Sequence, residues 1–302
     1  MKYTKLPISI QDQVATLRQR GLQFANEQKA AHYLSNISYY RLRAYTYPFQ
    51  DNNDPNHPFI KPVSFEEIMR LYVFDRQLRL LLFNAIEKIE IALRTQIIYE
   101  YAMAHGAFWH LKPALYNSAV YFADHIASLQ KEIDRSKETF IDHYRTVYTD
   151  PKEPPAWMSL EVSSMGLLSK IFSNLRNDEP CKDRITHHFG LKDVDTLANW
   201  MRCFSLLRNI CAHHSRVWNR RMTQLKLPRK PVYTFIQNQQ ILPYKVYAYI
   251  CCMQYILNII SPQHGFRNKL VELMKDCPLL QEKEMGFPNG WQHEKIWQTT
   301  NT

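Results

Sequence analysis

From Ser64 to about Ala104 apolar residues recur at helical spacing almost without a break, and no other feature of the 302-residue chain restricts its fold as much. Ser64 with Glu67 three residues on forms a capping box, which marks where that helix begins. Inside it, Asp75 with Arg79 and Glu90 with Arg94 place an acid four residues before a base, the spacing of a helix-surface ion pair. Glu87 and Glu90 share a face, but no histidine or further carboxylate lies in register to complete a metal site, so salt bridging is the expectation. Only seven glycines occur in the chain, which favours long helices over turn-rich β structure. The fold class expected is all-α.

The remaining segments agree. Residues 8–36 read as two short polar helices broken near Gly21, and further helices are predicted over Tyr121–Ser136, Glu138–Tyr148, Met158–Leu175, Leu242–Ile260 and His264–Cys277. Glu161, Ser164 and Ser169 lie on or beside the apolar face of the third of these. There Glu161 either orients an arginine of the cationic stripe that lies between residues 202 and 220 or only fixes a helix start. The tail after Gly286 is expected to be loosely held.

Several classes are disfavoured. Val246–Ile260 is the most apolar run, but its 15 residues include Gln254 and Asn258, as in a buried helix rather than a membrane span. The first twenty residues lack the apolar centre of a signal peptide, so a cytoplasmic location is expected, with no membrane partner. Six scattered cysteines form no CxxC pair, which suits reduced core thiols. Cys203, Cys211, His213 and His214 match no familiar zinc-ligand spacing, and neither a metal nor another cofactor is expected.

Charge is distributed unevenly. Between Thr196 and Val271 there is no Asp or Glu, while eleven Arg and Lys residues contribute +11, about the whole formal excess of +10. With a pI near 9.2, nucleic acid becomes the first partner to consider. Projected at about 100° per residue, Phe204, Leu207, Cys211 and Trp218 fall on one arc. Arg202, Ser205, Asn209, His213, Arg216 and Arg220 form a stripe opposite, and the pattern predicts one amphipathic helix continuing to about Arg221. A second basic segment, Ile37–Phe49, interleaves tyrosines with Arg41 and Arg43. It reads either as an RNA-stacking surface or as tyrosines packing a helix junction.

Arg208-Asn-Ile-Cys-Ala-His213 joins groups able to act on a phosphodiester without a metal. Imidazole can exchange protons with a 2′-hydroxyl and a leaving 5′-oxygen, and a guanidinium can hold the non-bridging oxygens as charge builds. Asn209 adds a hydrogen bond. In a chain with 12 histidines the spacing alone means little, so its surroundings carry the weight. Five residues place Arg208 and His213 about 140° apart on a straight helix, which favours a composite site built with a two-fold partner. On the same reckoning His214 points to the apolar side.

Those residues carry a resemblance. RNICAHHSRVWNR, with SYYRLRAYTYPF, LYVFDRQLRLLLFNAIEKIEIALRTQI and WMSLEVSSMGLLSKIFSNL, resembles in order the Abi-like family of bacterial abortive-infection proteins, from about Ile37 to Arg220. That family in turn resembles the HEPN superfamily of all-α bundles, whose Arg-x4-6-His motif in many members cleaves RNA without metal across a homodimer interface. The resemblance implies a HEPN-like core at residues 51–230, an accessory segment at 1–50 and C-terminal helices at 231–302 packing on the core. It assigns catalysis to Arg208, His213 and Asn209. RNA contacts are expected at Arg202, His214, Arg216, Asn219, Arg220, Arg41 and Arg43. The function implied is a phage-defence endoribonuclease toxin leaving 2′,3′-cyclic phosphate ends. Its alternative is a non-catalytic protein whose ligand or inhibitor is a small structured RNA.

Overall fold

The capping box closes as the sequence requires. Ser64 donates its backbone N–H (2.8 Å) and hydroxyl (2.9 Å) to Glu67 Oε2, and the Glu67 N–H returns a bond to Ser64 Oγ at 3.2 Å. The Ser64 N–H holds the Glu67 carboxyl below its ordinary pKa. From this cap runs a 41-residue helix, about 60 Å at 1.5 Å per residue.

The computed structural model describes residue 2 and residues 6–237, 241–275 and 277–298. Its α-helices are α1 (Ile10–Gln19), α2 (Glu27–Ile37), α3 (Tyr39–Thr46), α4 (Phe65–His105), α5 (Ala119–Arg135), α6 (Thr139–Val147) and α7 (Ala156–Ser159). They continue with α8 (Met165–Asn174), α9 (Pro180–His188), α10 (Val194–Ala212), α11 (Val246–Ile260), α12 (Phe266–Met274) and α13 (Glu282–Met285). Two short strands, β1 (Leu22–Gln23) and β2 (Val63–Ser64), pair in parallel with Leu22 beside Val63. The protein is predominantly all-α. No helix among the described residues is long and apolar enough to cross a membrane.

The chain divides into two compact units, Met1–Arg79 with Asn268–Gln281 and Leu80–Arg267 with Glu282–Thr302. In the first, Gly21 at φ 97° turns α1 into β1, the break expected from the sequence. Tyr45 on α3 is buried and donates to Asp75 Oδ2 at 2.6 Å, and buried Arg79 donates to the same oxygen and to the Tyr45 hydroxyl at 3.2 Å. Burial, reinforced by the Asp75 charge, pushes the Tyr45 phenol far above its ordinary pKa.

In the second unit α8 packs on α5 and on α10. Gly166 lets α8 approach closely, because a Cβ there would lie 3.3 Å from Ser205 Oγ. The predicted helix Met158–Leu175 is two helices, α7 and α8. Ser164 breaks it by capping α8, accepting from the Leu167 N–H, while Glu132 of α5 accepts both the Ser164 N–H (2.7 Å) and its hydroxyl (2.9 Å). Arg94 of α4 fills the gap between the two helices. It donates to Leu160 O, to Ser163 O (2.8 Å), to Ser163 Oγ (3.1 Å) and to Glu90 Oε1 (2.7 Å).

The tail is not loose as far as Gln298. Phe287, Trp291 and Trp297 bury against Tyr247 of α11, whose hydroxyl accepts the Trp297 indole N–H at 3.2 Å. All six cysteines are free and buried.

Gly190 sits where a side chain would be both strained and overpacked. It has φ 70°, and an added Cβ would meet Tyr255 Oη at 2.6 Å and Tyr233 at 2.7 Å. Its carbonyl also accepts the Tyr255 hydroxyl (2.6 Å) and the Val232 N–H (3.0 Å). Left-handed strain plus overpacking predicts that Gly190→Ala lowers stability by about 2–4 kcal/mol. Chemical denaturation measures this, and a shift below about 1 kcal/mol would show that the loop relaxes.

His110 follows α4 with both ring nitrogens buried and, among the described residues, without a hydrogen-bond partner. Burial lowers its pKa to about 4. An unfolded histidine gains its proton near pH 6.5 whereas the folded one does so only near 4, so stability is full above 6.5 and falls as pH drops. The expected loss between pH 7.5 and 5 is about 2 kcal/mol, and His110→Leu should remove most of that slope. Equal slopes in urea titrations of both proteins would assign the acid sensitivity elsewhere.

Candidate nucleic-acid interface

α10 carries the residues singled out in the sequence, and its inner side anchors them. Leu197, Trp200, Met201, Phe204, Leu207 and Cys211 are buried, and Arg202, Leu206 and Asn209 are exposed on the outer side. The helix ends at Ala212, nine residues before the expected stop. His213 caps it, and the chain turns at His214, whose φ is 57°. The Ser215 N–H reaches Ile210 O at 3.0 Å and the His214 N–H reaches Cys211 O at 3.0 Å, the pair of bonds that defines a Schellman turn. Glycine is usual at that left-handed position, but histidine is among the residues that tolerate it.

This ending corrects the projected stripe. Arg216 and Arg220 lie beyond the helix in a loop, half-buried, and Arg220 Nη1 reaches Arg216 O at 3.5 Å. Ser205 is buried instead of facing outward. His214 is exposed, not turned to the apolar side. Val217 and Trp218 stay buried although the chain has left the helix. Asn219 is half-buried, its side-chain oxygen enclosed and, among the described residues, without a hydrogen-bond partner. The loop is held by Arg221 over the Tyr244 ring at 4.2 Å and by the Tyr249 hydroxyl donating to Thr223 O at 2.6 Å.

Arg208, Asn209 and His213 fall together at this helix end. His213 and Asn209 are exposed, joined by the His213 N–H to Asn209 O bond of 2.9 Å. Arg208 is half-buried, with its guanidinium 5.8 Å from the Phe83 ring centre. It lines a cavity of about 770 Å³ together with Glu90, Glu132, Glu138 and Glu161. The acid-free stretch is therefore not acid-free in space. Yet Glu90 is committed to Arg94 and Glu132 to the α8 cap, and among the described residues no carboxylate pairs with Arg208. Arg135 and Lys137, on the same wall, were not singled out, because no periodicity connects the α5–α6 turn to α10.

Arg41 and Arg43 belong to the other compact unit. Arg41 is exposed; Arg43 is half-buried, 3.2 Å from His57 Nε2 and over the Tyr47 ring at 5.9 Å. Tyr45 supports the junction reading of that segment, whereas Tyr40, 77% exposed, leaves the surface reading open.

Among the described residues the histidine, cysteine and carboxylate atoms near enough to share an ion are those of His105, Glu179 and Cys181, none of which belongs to the Arg208–His213 motif. Arg184 donates to Cys181 Sγ at 3.2 Å, placing a guanidinium where a metal cation would be repelled.

The profile of the Abi-like protein family matches residues 32–219, from α2 through the whole of α10 to Asn219. The chain belongs to this family. Membership suggests abortive infection, a form of phage defence, as the biological setting. The match covers Arg208, Asn209 and His213 but stops before Arg220 and before α11–α13. No curated protein and no solved structure matches this Abi-like chain.

Proposed function

We propose that this Abi-like protein defends against phage by cutting RNA, as a metal-independent endoribonuclease of the HEPN type. The observation carrying the proposal is a half-buried Arg208 that has no carboxylate partner among the described residues, at the same helix end as an exposed His213 and Asn209. A guanidinium withheld from ion pairing suits an anion supplied from outside. In the proposed reaction His213 takes the 2′-hydroxyl proton, the 2′-oxygen attacks phosphorus, and the 5′-oxygen leaves with a proton returned to it. The products are a 2′,3′-cyclic phosphate and a 5′-hydroxyl. Arg208 offsets the charge that builds on the phosphorane, and Asn209 positions the phosphate or ribose.

The site is proposed to be completed by a second copy meeting the first about a two-fold axis at the C-terminal end of α10. Arg208 there lines a recess and His213 stands outside it, so the pairing of one protomer's arginine with its partner's histidine is natural.

Mixing Arg208→Ala with His213→Ala protein tests both halves. Each is expected to be inactive alone, and a 1:1 mixture to recover about a quarter of wild-type activity through heterodimers with one intact site. Cleavage should persist in EDTA. Activity that requires added Mg²⁺, or products with 3′-hydroxyl ends, would contradict the chemistry. No recovery on mixing would place the site within one protomer. Tight RNA binding without cleavage under any condition would leave the protein as a non-catalytic RNA binder.

A further inference from the structure

A groove of about 970 Å³ lies beside the first turns of α10, where the 224–230 loop and residues 191–199 face each other. Its floor is fixed by hydrogen bonds. The Lys226 N–H donates to Asn199 Oδ1 (2.7 Å), Asn199 Nδ2 to Gln224 O (3.2 Å), and the Trp200 indole N–H to Lys226 O (2.8 Å). The acids in the groove are already engaged. Asp193 accepts the Thr196 hydroxyl (2.6 Å) and the Asp195 N–H (3.1 Å), while Asp195 pairs with Lys226 at 3.3 Å. That leaves Lys192, Arg229 and Lys230, all exposed and, among the described residues, without a hydrogen bond or ion pair.

A continuous path joins this groove to the other end of the helix. Asp195, Asn199, Arg202, Leu206 and Asn209 succeed one another at steps of four, three, four and three, which is a single line along an α-helix, and His213 caps that line. Arg202, midway, is exposed and likewise has no partner among the described residues.

We infer that Lys192, Arg229 and Lys230 form a second phosphate-binding site, from which single-stranded RNA runs along the outer face of α10, past Arg202, to the Arg208–His213 end. This rests on the proposed RNA-directed function. Fourteen residues separate Asn199 from His213, about 21 Å of helix, which a stacked strand at about 3.4 Å per nucleotide covers in about six nucleotides. The preferred substrate is then a stacked single strand with at least that length on one side of the cut, and shorter RNA loses the groove. Lys192 lies within the region shared with the family, whereas Arg229 and Lys230 lie beyond it, so the site joins a family segment to the chain's C-terminal part.

The test compares wild type with the Lys192→Ala/Arg229→Ala/Lys230→Ala protein, on an RNA of about 20 nucleotides and on one too short to reach the groove. For the long RNA, KM is expected to rise about tenfold with kcat unchanged, and the slope of log affinity against log salt to shrink by about 2, at about 0.7 per lost phosphate contact. Cleavage of the short RNA should match wild type. A charge-keeping Arg229→Lys/Lys230→Arg protein should behave like wild type, separating charge from loop structure. If the triple variant binds and cuts long RNA as wild type does, the groove assignment is overturned and the proposed function stands. If wild type neither binds nor cuts RNA, both are overturned.

Discussion

Arg94→Leu is expected to lower the stability of the protein by about 3–5 kcal/mol, one of the two largest effects predicted for any single substitution. The side chain is buried, and its guanidinium serves Glu90, the carbonyls of Leu160 and Ser163, and the Ser163 hydroxyl. Leucine would fill part of the volume but strand a mostly buried carboxylate and the Ser163 carbonyl, while Leu160 O keeps the Ser163 N–H (3.1 Å) and hydroxyl (2.7 Å). Removal of one partner from such a set costs far more than the intact set contributes. Lysine would keep the charge opposite Glu90 without the fork that reaches two directions, so Arg94→Lys should fall between, at about 1–3 kcal/mol. Chemical denaturation of the three proteins measures the series. A leucine variant within about 1 kcal/mol of wild type would show that water replaces these bonds without penalty. The α7–α8 turn that Arg94 holds also lines the Arg208 cavity, so the same variant should weaken any activity located there.

The Glu90–Arg94 pair was readable from its spacing, but its main role was not. The carbonyls it serves lie 66 and 69 residues further along the chain, and no local pattern encodes such a contact. Likewise α4 was legible because its start has a capping box and its apolar period persists for eleven turns' length, while the stop of α10 was hidden. Neither glycine nor proline marks that stop. Trp218 is buried where a continued helix would also have buried it, so periodicity ran on past the turn at His214. In the tail, Trp291 and Trp297 stand among polar residues, and only their packing on Tyr247 reveals them as core. The candidate site was legible as a local set, Arg208 to His213, because one helix end holds it together. Its carboxylate wall was not, since Glu90, Glu132 and Glu161 come from α4, α5 and the α7–α8 turn.

The second large effect concerns chemistry. His213→Ala should slow RNA cleavage by about 10²–10⁴-fold, the usual contribution of a positioned acid–base group. Histidine is the side chain whose unperturbed range lets it both take and return a proton near neutral pH, and His213 is exposed at a helix cap, where its removal exposes no core. Stability should therefore change little, in contrast to Arg94→Leu. Arg208→Lys should cost about 10²–10³-fold despite its retained charge, because a single ammonium cannot grip two phosphate oxygens at once. The most direct measurement is single-turnover cleavage of single-stranded RNA in EDTA at neutral pH by wild type and His213→Ala, with RNA affinity determined on the same samples. Proton transfer by His213 predicts cleavage by wild type, at least about 100-fold slower cleavage by His213→Ala, and affinities within about threefold of each other. Equal cleavage rates for the two proteins would contradict it.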